Sequence, residues 1–364
     1  MASTTGTDYS AISVSSSSMK TKSPSMTVSA PGGIVKEYEM DEESHTIEPV
    51  PEAEAESTVM NFSLLANVVL TVAKTFVTFQ SGSLAVLASL IDSALDLLSQ
   101  LVLFTASVQR KTRSVAYPAG RARLEPVSVV VCAMLMGVSA MGVIFAAARQ
   151  LFDLVAGRPI DVEIDELNGL IMLVAVVWKF ALWLWIVKRH AALAADSPGV
   201  AAVAQDHFND VLSNVFALAA AVLAARYGLD AADPVGAILI SLYIAYSWLD
   251  TGIEQVQHLV GKTADPDFLA ELRSCAANYS SQMQCDIVRA YHFGPRYLVE
   301  LEMVMDAATP LRVTHDLALD LQQRVELIPL VERCFVHVDY DFRTVDEHDP
   351  SSWSPGRPEK KALI

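Results

Sequence analysis

The chain has 364 residues, of which 52% are hydrophobic and only 19% are charged, and its formal net charge at pH 7 is -16. A mean hydropathy of +0.35 is typical of a membrane protein that also has soluble parts. The negative charge excludes a general affinity for nucleic acid or for an anionic lipid surface.

The chain begins with a polar segment. Residues 1–57 are rich in Ser, Thr, Pro and Glu and show no apolar periodicity. Such a segment buries too little surface to offset its ordering entropy, so we predict a disordered N-terminal segment. Because residues 1–33 contain no apolar signal-peptide core, the first membrane helix is expected to act as the targeting signal.

Six apolar segments follow, each long enough to cross the hydrocarbon core at a rise of about 1.5 Å per residue. Their predicted bounds are 58–79, 84–108, 125–150, 165–189, 199–224 and 233–257. Several contain polar residues, so we expect a packed six-helix bundle over residues 58–257.

The loop RKTRSVAYPAGRAR at 110–123 is strongly basic, whereas the loops on the opposite side are short or acidic. The positive-inside rule therefore predicts that this loop and both termini are cytosolic.

The pattern changes to that of a soluble domain after Gly261. The predicted order is helix, strand, strand, helix, strand, and a Gly-Pro turn separates CDIVRAYHF from RYLVELEMVMD. This order predicts a small cytosolic α+β domain at 262–342 with its helices on one face of the sheet. Residues 343–364 are predicted to form a polar tail.

Two aspartate pairs with the same spacing lie inside the apolar segments. Asp92 and Asp96 belong to the second segment, and Asp206 and Asp210 belong to the fifth. Residues four apart project from one helix face, so four carboxylates converge if the two faces meet. Each ionised carboxylate at mid-membrane costs roughly 3 kcal/mol, and a bound cation is the simplest compensation. Lys179, the buried cation that we identify in the six segments, could neutralise these acids in part or could snorkel toward its helix end.

The donor types indicate which metal would bind. An all-oxygen shell suits a hard divalent ion such as Mn²⁺, whereas Zn²⁺ sites usually include imidazole or thiolate. His207 follows Asp206 but points about 100° away along the helix, so we predict a supporting partner or proton acceptor, with direct ligation as the alternative. Because metal-binding carboxylates must be deprotonated, protons and metal compete for the same oxygens. This competition provides the elements of proton–metal antiport.

Two other classes of protein also place acids in membrane helices. An intramembrane aspartyl protease uses two carboxylates that share a proton, whereas this chain has four in turn-spaced pairs and no Gly-x-Gly-Asp string. A metal-sensing receptor is the other class, but acids at mid-membrane depth favour passage of the ion over surface sensing.

The strings SGSLAVLASLIDSALDLLSQ, YPAGRARLEPV, QDHFNDVLSN, DPVGAILISLYI, VRAYHFGPRYLVELEMVMD and VERCFVHVDY occur in that order over about 60–342. By these motifs the chain resembles the cation diffusion facilitator family, in particular its manganese-type members, the plant metal tolerance proteins. The resemblance implies six membrane helices and a cytosolic ferredoxin-like, metallochaperone-like domain. It also implies a homodimer formed partly through that domain, and a transporter rather than an enzyme, without a prosthetic group.

The resemblance further implies proton-coupled export of Mn²⁺ from the cytosol, with a zinc or broad-range Zn/Fe/Co transporter as the alternative. The expected membrane is that of an organelle such as the vacuole or Golgi, ahead of the plasma membrane. Family transport-site positions match the four aspartates. Zinc-type members usually have His where this chain has Asp206, which agrees with the oxygen-donor argument for manganese. In the soluble domain, His315, His337 and Asp339 match a metal site of some relatives, although Glu300 stands where His is common.

Overall fold

The protein is described here by a computed structural model. The described residues are 25–29, 35–39, 50–81, 84–110, 116–158, 166–189, 197–227, 229 and 231–342, so the predicted polar tail at 343–364 lies outside them. The chain divides into two units, Met1–Pro49 and Val50–Ile364.

The first unit contains two short paired strands. Strands β1 (Ser25–Ser29) and β2 (Val35–Glu39) pair antiparallel. The first helix then begins at Val50, so the disorder predicted for 1–57 does not match these strands or the start of this helix. The segment VPEAEAES explains the early start, because Glu and Ala are strong helix formers and proline is tolerated in a first turn.

Within the described part of the chain, six long helices form the bundle. They are α1 (Val50–Ser81), α2 (Leu84–Arg110), α3 (Leu124–Val155), α4 (Glu166–Arg189), α5 (Pro198–Tyr227) and α6 (Ala232–Val260). Among the described residues, four helices are long and apolar enough to cross a membrane, with candidate spans Glu54–Phe76, Leu90–Arg110, Leu124–Val155 and Ala232–Val260. The other two helices, α4 and α5, pack against each other, and α5 also packs against α6.

Buried charges tie one end of the bundle together. Arg110, at the end of α2, forms ion pairs with Glu56 of α1 and Glu125 of α3. The hydroxyl of Ser197 and the backbone N–H of Gly199, at the start of α5, donate to Glu125 Oε1 at 2.6 and 3.1 Å. We call this the proximal end of the bundle and the opposite one the distal end.

Apolar side chains fill the bundle next to this charge cluster. Val59, Val129, Cys132, Val203 and Trp248, from four helices, are each at most 1% exposed. Because protein interiors are packed at crystal-like density, this layer leaves little space for a hydrated ion. Among the described residues, the proximal end is therefore tightly packed.

The soluble domain has the predicted order of elements: α7 (Pro266–Ala277), β3 (Gln284–Phe293), β4 (Arg296–Val304), α8 (Leu311–Glu326) and β5 (Val331–Asp339). Strand β4 lies in the middle of the sheet, antiparallel to β3 and parallel to β5. Leu272 of α7 and Leu321 of α8 are fully buried against the alternating strand residues Val299, Leu301 and Met303. Alternate residues of a strand share a face, so both helices cover the same face of the sheet.

The soluble domain contacts the proximal end of the bundle. The rings of His258 on α6 and His292 on β3 stack with centroids 3.9 Å apart. Gly294 has φ +76, and a Cβ on it would lie 3.2 Å from backbone atoms of Ala122, so the turn after β3 requires glycine on both counts. The guanidinium of Arg123 lies 4.1 Å from the centroid of the Phe293 ring.

The junction predicts a pH dependence of stability. Burial, and secondly the neighbouring His258, lower the pKa of His292 from 6.5 to about 4. The unfolded chain therefore takes up a proton between pH 6.5 and 4 that the folded chain does not. Stability should be lost as the pH falls through this window, by roughly 1–3 kcal/mol, and should show no further loss from this group below it.

The measurement is the thermal midpoint of the full-length protein between pH 7 and 4. His292→Phe removes the titrating group but keeps an aromatic ring, so its midpoint should fall less steeply with acid than that of the wild type. His315→Gln, at an exposed position on α8, should retain the wild-type slope. Equal slopes in all three proteins would contradict the prediction.

Candidate metal site

A cavity of about 290 Å³ lies within the bundle, and all four predicted aspartates line it. Asp92 and Asp96 reach it from α2, and Asp206 and Asp210 reach it from α5. The two helix faces predicted from the spacing therefore meet in the structure. The cavity extends toward the distal end, where Asp233 at the start of α6 also lines it.

The four carboxylates differ in burial. Asp96 and Asp206 are 8% and 5% exposed, Asp210 is half-buried, and Asp92 is the most exposed. One carboxylate oxygen of Asp206, Oδ2, is buried without a hydrogen-bond partner among the described residues. A buried carboxylate oxygen without a partner is costly, and a cation in the cavity would compensate it.

Lys179 of α4 lies among the aspartates rather than snorkelling toward a helix end. Its Nζ donates a hydrogen bond of 2.7 Å to Asp96 Oδ2 and another to Asp210 Oδ2. The residue is 7% exposed. It therefore joins α2, α4 and α5 through one ammonium group.

Lys74 and Asn209 are among the polar residues of the cavity that the sequence analysis missed. Lys74 of α1 lines the cavity and donates to Ser93 Oγ at 2.7 Å. Asn209 of α5 also lines it, and neither polar atom of its buried side chain has a hydrogen-bond partner within the described part of the chain. Their signal in the sequence was a charge inside the apolar run TVAKTFVTF and an amide inside the polar run QDHFND.

His207 is fully buried and contacts α1. Its Nε2 lies 2.5 Å from the hydroxyl oxygen of Ser63, which also accepts a hydrogen bond of 3.0 Å from Gln100. A ring nitrogen of His207 and carboxylate oxygens of Asp206 and Asp210 lie within 4.8 Å of one another. Among the residues that the structure describes, His207 nevertheless does not line the cavity. These three residues lie close together because they are near neighbours on one helix. We therefore assign the two carboxylates, and not the His207 ring, to the cavity.

The candidate residues of the soluble domain do not converge within one chain. His315 lies exposed on α8, and His337 and Asp339 lie on β5. Among the described residues, Asp206, His207 and Asp210 form the only group of three or more His, Cys, Asp or Glu with ligand atoms within 4.8 Å. Glu300 accepts a hydrogen bond of 2.6 Å from the Tyr291 hydroxyl. A site shared between two copies of the domain stays a prediction.

The helical bundle, its acid-lined cavity and the appended α+β domain define a membrane transporter of divalent metal cations. Residues 60–260 match the cation efflux transmembrane domain, and the chain belongs to the cation efflux, or cation diffusion facilitator, family. This membership confirms the predicted family resemblance and fold class. It also confirms that the protein is a transporter rather than an enzyme, which excludes the aspartyl protease.

Plant relatives match most of the chain. Metal tolerance protein 10 of Arabidopsis thaliana is 39% identical over 81% of this chain and 68% of its own length. Metal tolerance protein 5 of Oryza sativa subsp. japonica is 37% identical over 81% of this chain and 70% of its own. Metal tolerance protein 11 of Arabidopsis thaliana is 37% identical over 81% of this chain and 74% of its own.

Proposed function

We propose that this protein exports Mn²⁺ from the cytosol in exchange for protons, into an organelle or out of the cell. The observation that carries the proposal is the convergence of Asp92, Asp96, Asp206 and Asp210 from two helices on one cavity. We further propose that both termini are cytosolic and that two chains associate partly through their soluble domains.

The donor atoms around the cavity favour a hard cation. The four aspartates supply carboxylate oxygens, and the amide oxygen of Asn209 is a further hard donor with no hydrogen-bond partner among the described residues. Carboxylate and carbonyl oxygens suit Mn²⁺, whereas Zn²⁺ favours nitrogen and sulfur ligands. The lining supports manganese on this ground.

The same carboxylates provide the coupling to protons. They bind metal only when deprotonated, so each arriving ion releases protons and each departing ion leaves oxygens that can take protons up. Transport also requires the site to face the two sides of the membrane in turn. The cavity extends toward the distal end, while the proximal end is closed by the Arg110 cluster and the apolar layer. The proximal end carries the basic loop and the soluble domain, which we propose to be cytosolic. Export therefore requires this end to open so that cytosolic metal can enter.

Metal flux into proteoliposomes tests the proposal. With an acidic lumen, the purified protein should accumulate Mn²⁺ in preference to Zn²⁺, Fe²⁺ and Ca²⁺. Adding a protonophore should remove the accumulation, because the proton gradient drives it. Accumulation that survives collapse of the gradient would contradict proton coupling, and an absence of uptake for every ion would contradict metal transport by this site.

The proximity of His207 to Asp206 and Asp210 supports a second candidate, a zinc or broad-range transporter. In this case one ring nitrogen would join the carboxylates as a ligand. Competition between Mn²⁺ and Zn²⁺ for uptake distinguishes the two candidates, since a nitrogen ligand should favour zinc. Under the manganese proposal, excess Zn²⁺ inhibits Mn²⁺ uptake only weakly.

A further inference from the structure

The ammonium group of Lys179 lies between two of the carboxylates that the proposed function assigns to metal. Its Nζ is 2.7 Å from Asp96 Oδ2 and also donates to Asp210 Oδ2. The lysine comes from α4, which contributes none of the four aspartates. Removing an ammonium from water is expensive, and the two carboxylates offset that cost in this position.

A divalent metal ion needs the same oxygens. A carboxylate oxygen whose lone pair is directed at an ammonium is not available to a metal at a bonding distance of roughly 2.0–2.6 Å. Two cations held at the same carboxylates also repel each other strongly in a low-dielectric interior. Metal and Lys179 therefore compete for the Oδ2 atoms of Asp96 and Asp210. Lys179 itself lines the cavity, which gives its side chain space into which to withdraw.

We infer that Lys179 is a tethered counter-cation that metal displaces from Asp96 and Asp210 on binding. When the metal leaves, the ammonium returns to the carboxylates, neutralises their repulsion and speeds release. The inference rests on the proposed function and names the residue that limits metal affinity in favour of turnover. Lys179 is thus a positioning residue and not a ligand.

Metal binding to purified protein tests the displacement. We expect Lys179→Gln to bind Mn²⁺ at least about tenfold more tightly at pH 8, because no built-in cation then competes with the metal. Lys179→Arg keeps a competing charge, so its affinity should stay at or below that of the wild type. Lys188→Gln, at an exposed position near the end of the same helix, should bind like the wild type. Calorimetric titration measures all four dissociation constants.

Thermal stability separates this role from a merely structural one. In chelator, Lys179→Gln should melt below the wild type, because Asp96 and Asp210 have lost their cation. Saturating Mn²⁺ should raise its melting temperature more than it raises that of the wild type. A structural role predicts a lower melting temperature in both conditions and no gain in affinity, and that result would overturn the inference.

Transport kinetics give a third readout. In proteoliposomes, Lys179→Gln should show a lower KM for Mn²⁺ together with a kcat reduced about tenfold, because binding is tighter and release is slower. Lys179→Arg should not show the lower KM. An unchanged KM in Lys179→Gln would overturn the inference while leaving the proposed function intact. Absence of uptake by the wild type would instead overturn the proposed function, and the binding measurement would still decide the role of Lys179.

A measurement on the wild type covers the case in which the Gln variant fails to fold. Reductive methylation, followed by mass spectrometry, reports how accessible each lysine amine is. Withdrawal of the ammonium from Asp96 and Asp210 should make Lys179 react faster in Mn²⁺ than in chelator, whereas Lys188 should react equally in both. Equal or slower reaction of Lys179 in Mn²⁺ would overturn the inference.

Discussion

Asp210→Asn should lose nearly all Mn²⁺ uptake in proteoliposomes while the protein stays folded. The substitution keeps the shape of the side chain but removes a charge from the cavity that Asp210 shares with Asp96 and Asp206. Removing one member of a desolvated charge pair weakens the free energy of binding by roughly 2–5 kcal/mol. This loss corresponds to a metal affinity that is lower by at least about 25-fold. The amide oxygen introduced by the substitution could still accept a hydrogen bond from Lys179, so loss of packing is not the expected cause.

The matched control is Asp250→Asn. Asp250 lies exposed on α6, so its charge should not affect the cavity and uptake should remain at the wild-type rate. Asp96→Asn and Asp206→Asn should resemble Asp210→Asn, because both carboxylates are buried in the cavity wall. Asp92→Asn should lose less, since Asp92 is the most exposed of the four. Full uptake by Asp210→Asn would refute the assignment of this carboxylate to the transport site.

Much of this cavity could be predicted from the sequence. Helical periodicity places Asp92 one turn from Asp96 and Asp206 one turn from Asp210, because residues four apart share one face of a helix. Charged residues are costly to expose to lipid, which favours an orientation of both pairs toward the bundle interior. The apolar runs gave the helix bounds closely, with the start of α1 as the main exception.

The remainder of the site depends on contacts between helices. Lys179 is surrounded in sequence by apolar and aromatic residues, and the pattern VVWKFALW does not distinguish a lysine that snorkels from one that turns inward. Only the approach of α4 to α2 and α5 brings its ammonium to Asp96 and Asp210. The contact of His207 with Ser63 likewise joins α5 to α1, and helical periodicity within one segment cannot reveal it.

The start of α1 shows the same limitation. Residues 50–57 have the composition of a solvated leader, and composition alone predicted disorder. Glu56 is instead 2% exposed and forms an ion pair with Arg110, far along the chain. A long-range partner thus stabilises a helical turn that its local sequence does not identify as buried.

Loss of this ion pair should strongly destabilise the protein. Arg110→Gln would leave the carboxylates of Glu56 and Glu125, each 2% exposed, close together without their shared cation. Removing one partner of a buried ion pair typically costs roughly 3–5 kcal/mol, because the remaining charge stays desolvated. Arg110→Gln should therefore unfold at a much lower denaturant concentration in lipid nanodiscs.

Arg158→Gln is the matched control for this variant. Arg158 pairs with Asp153 at 2.8 Å, but its side chain is 71% exposed, and exposed pairs contribute about 0–1 kcal/mol. The contrast between the two arginines therefore tests burial rather than the loss of an arginine as such. Similar stability in the two variants would contradict the account of the proximal cluster.

The same variant tests whether the Arg110 cluster closes the proximal end. Cys132 is fully buried in the apolar layer beside the cluster, so a maleimide should not reach its thiol in the closed wild-type bundle. In Arg110→Gln, repulsion between Glu56 and Glu125 should separate α1 from α3, and Cys132 should become labelled. The other cysteines, Cys275, Cys285 and Cys334, are replaced by Ser so that the label reports on this position. Labelling that stays at the wild-type level, despite lower stability, would show that the cluster holds the fold without acting as the gate.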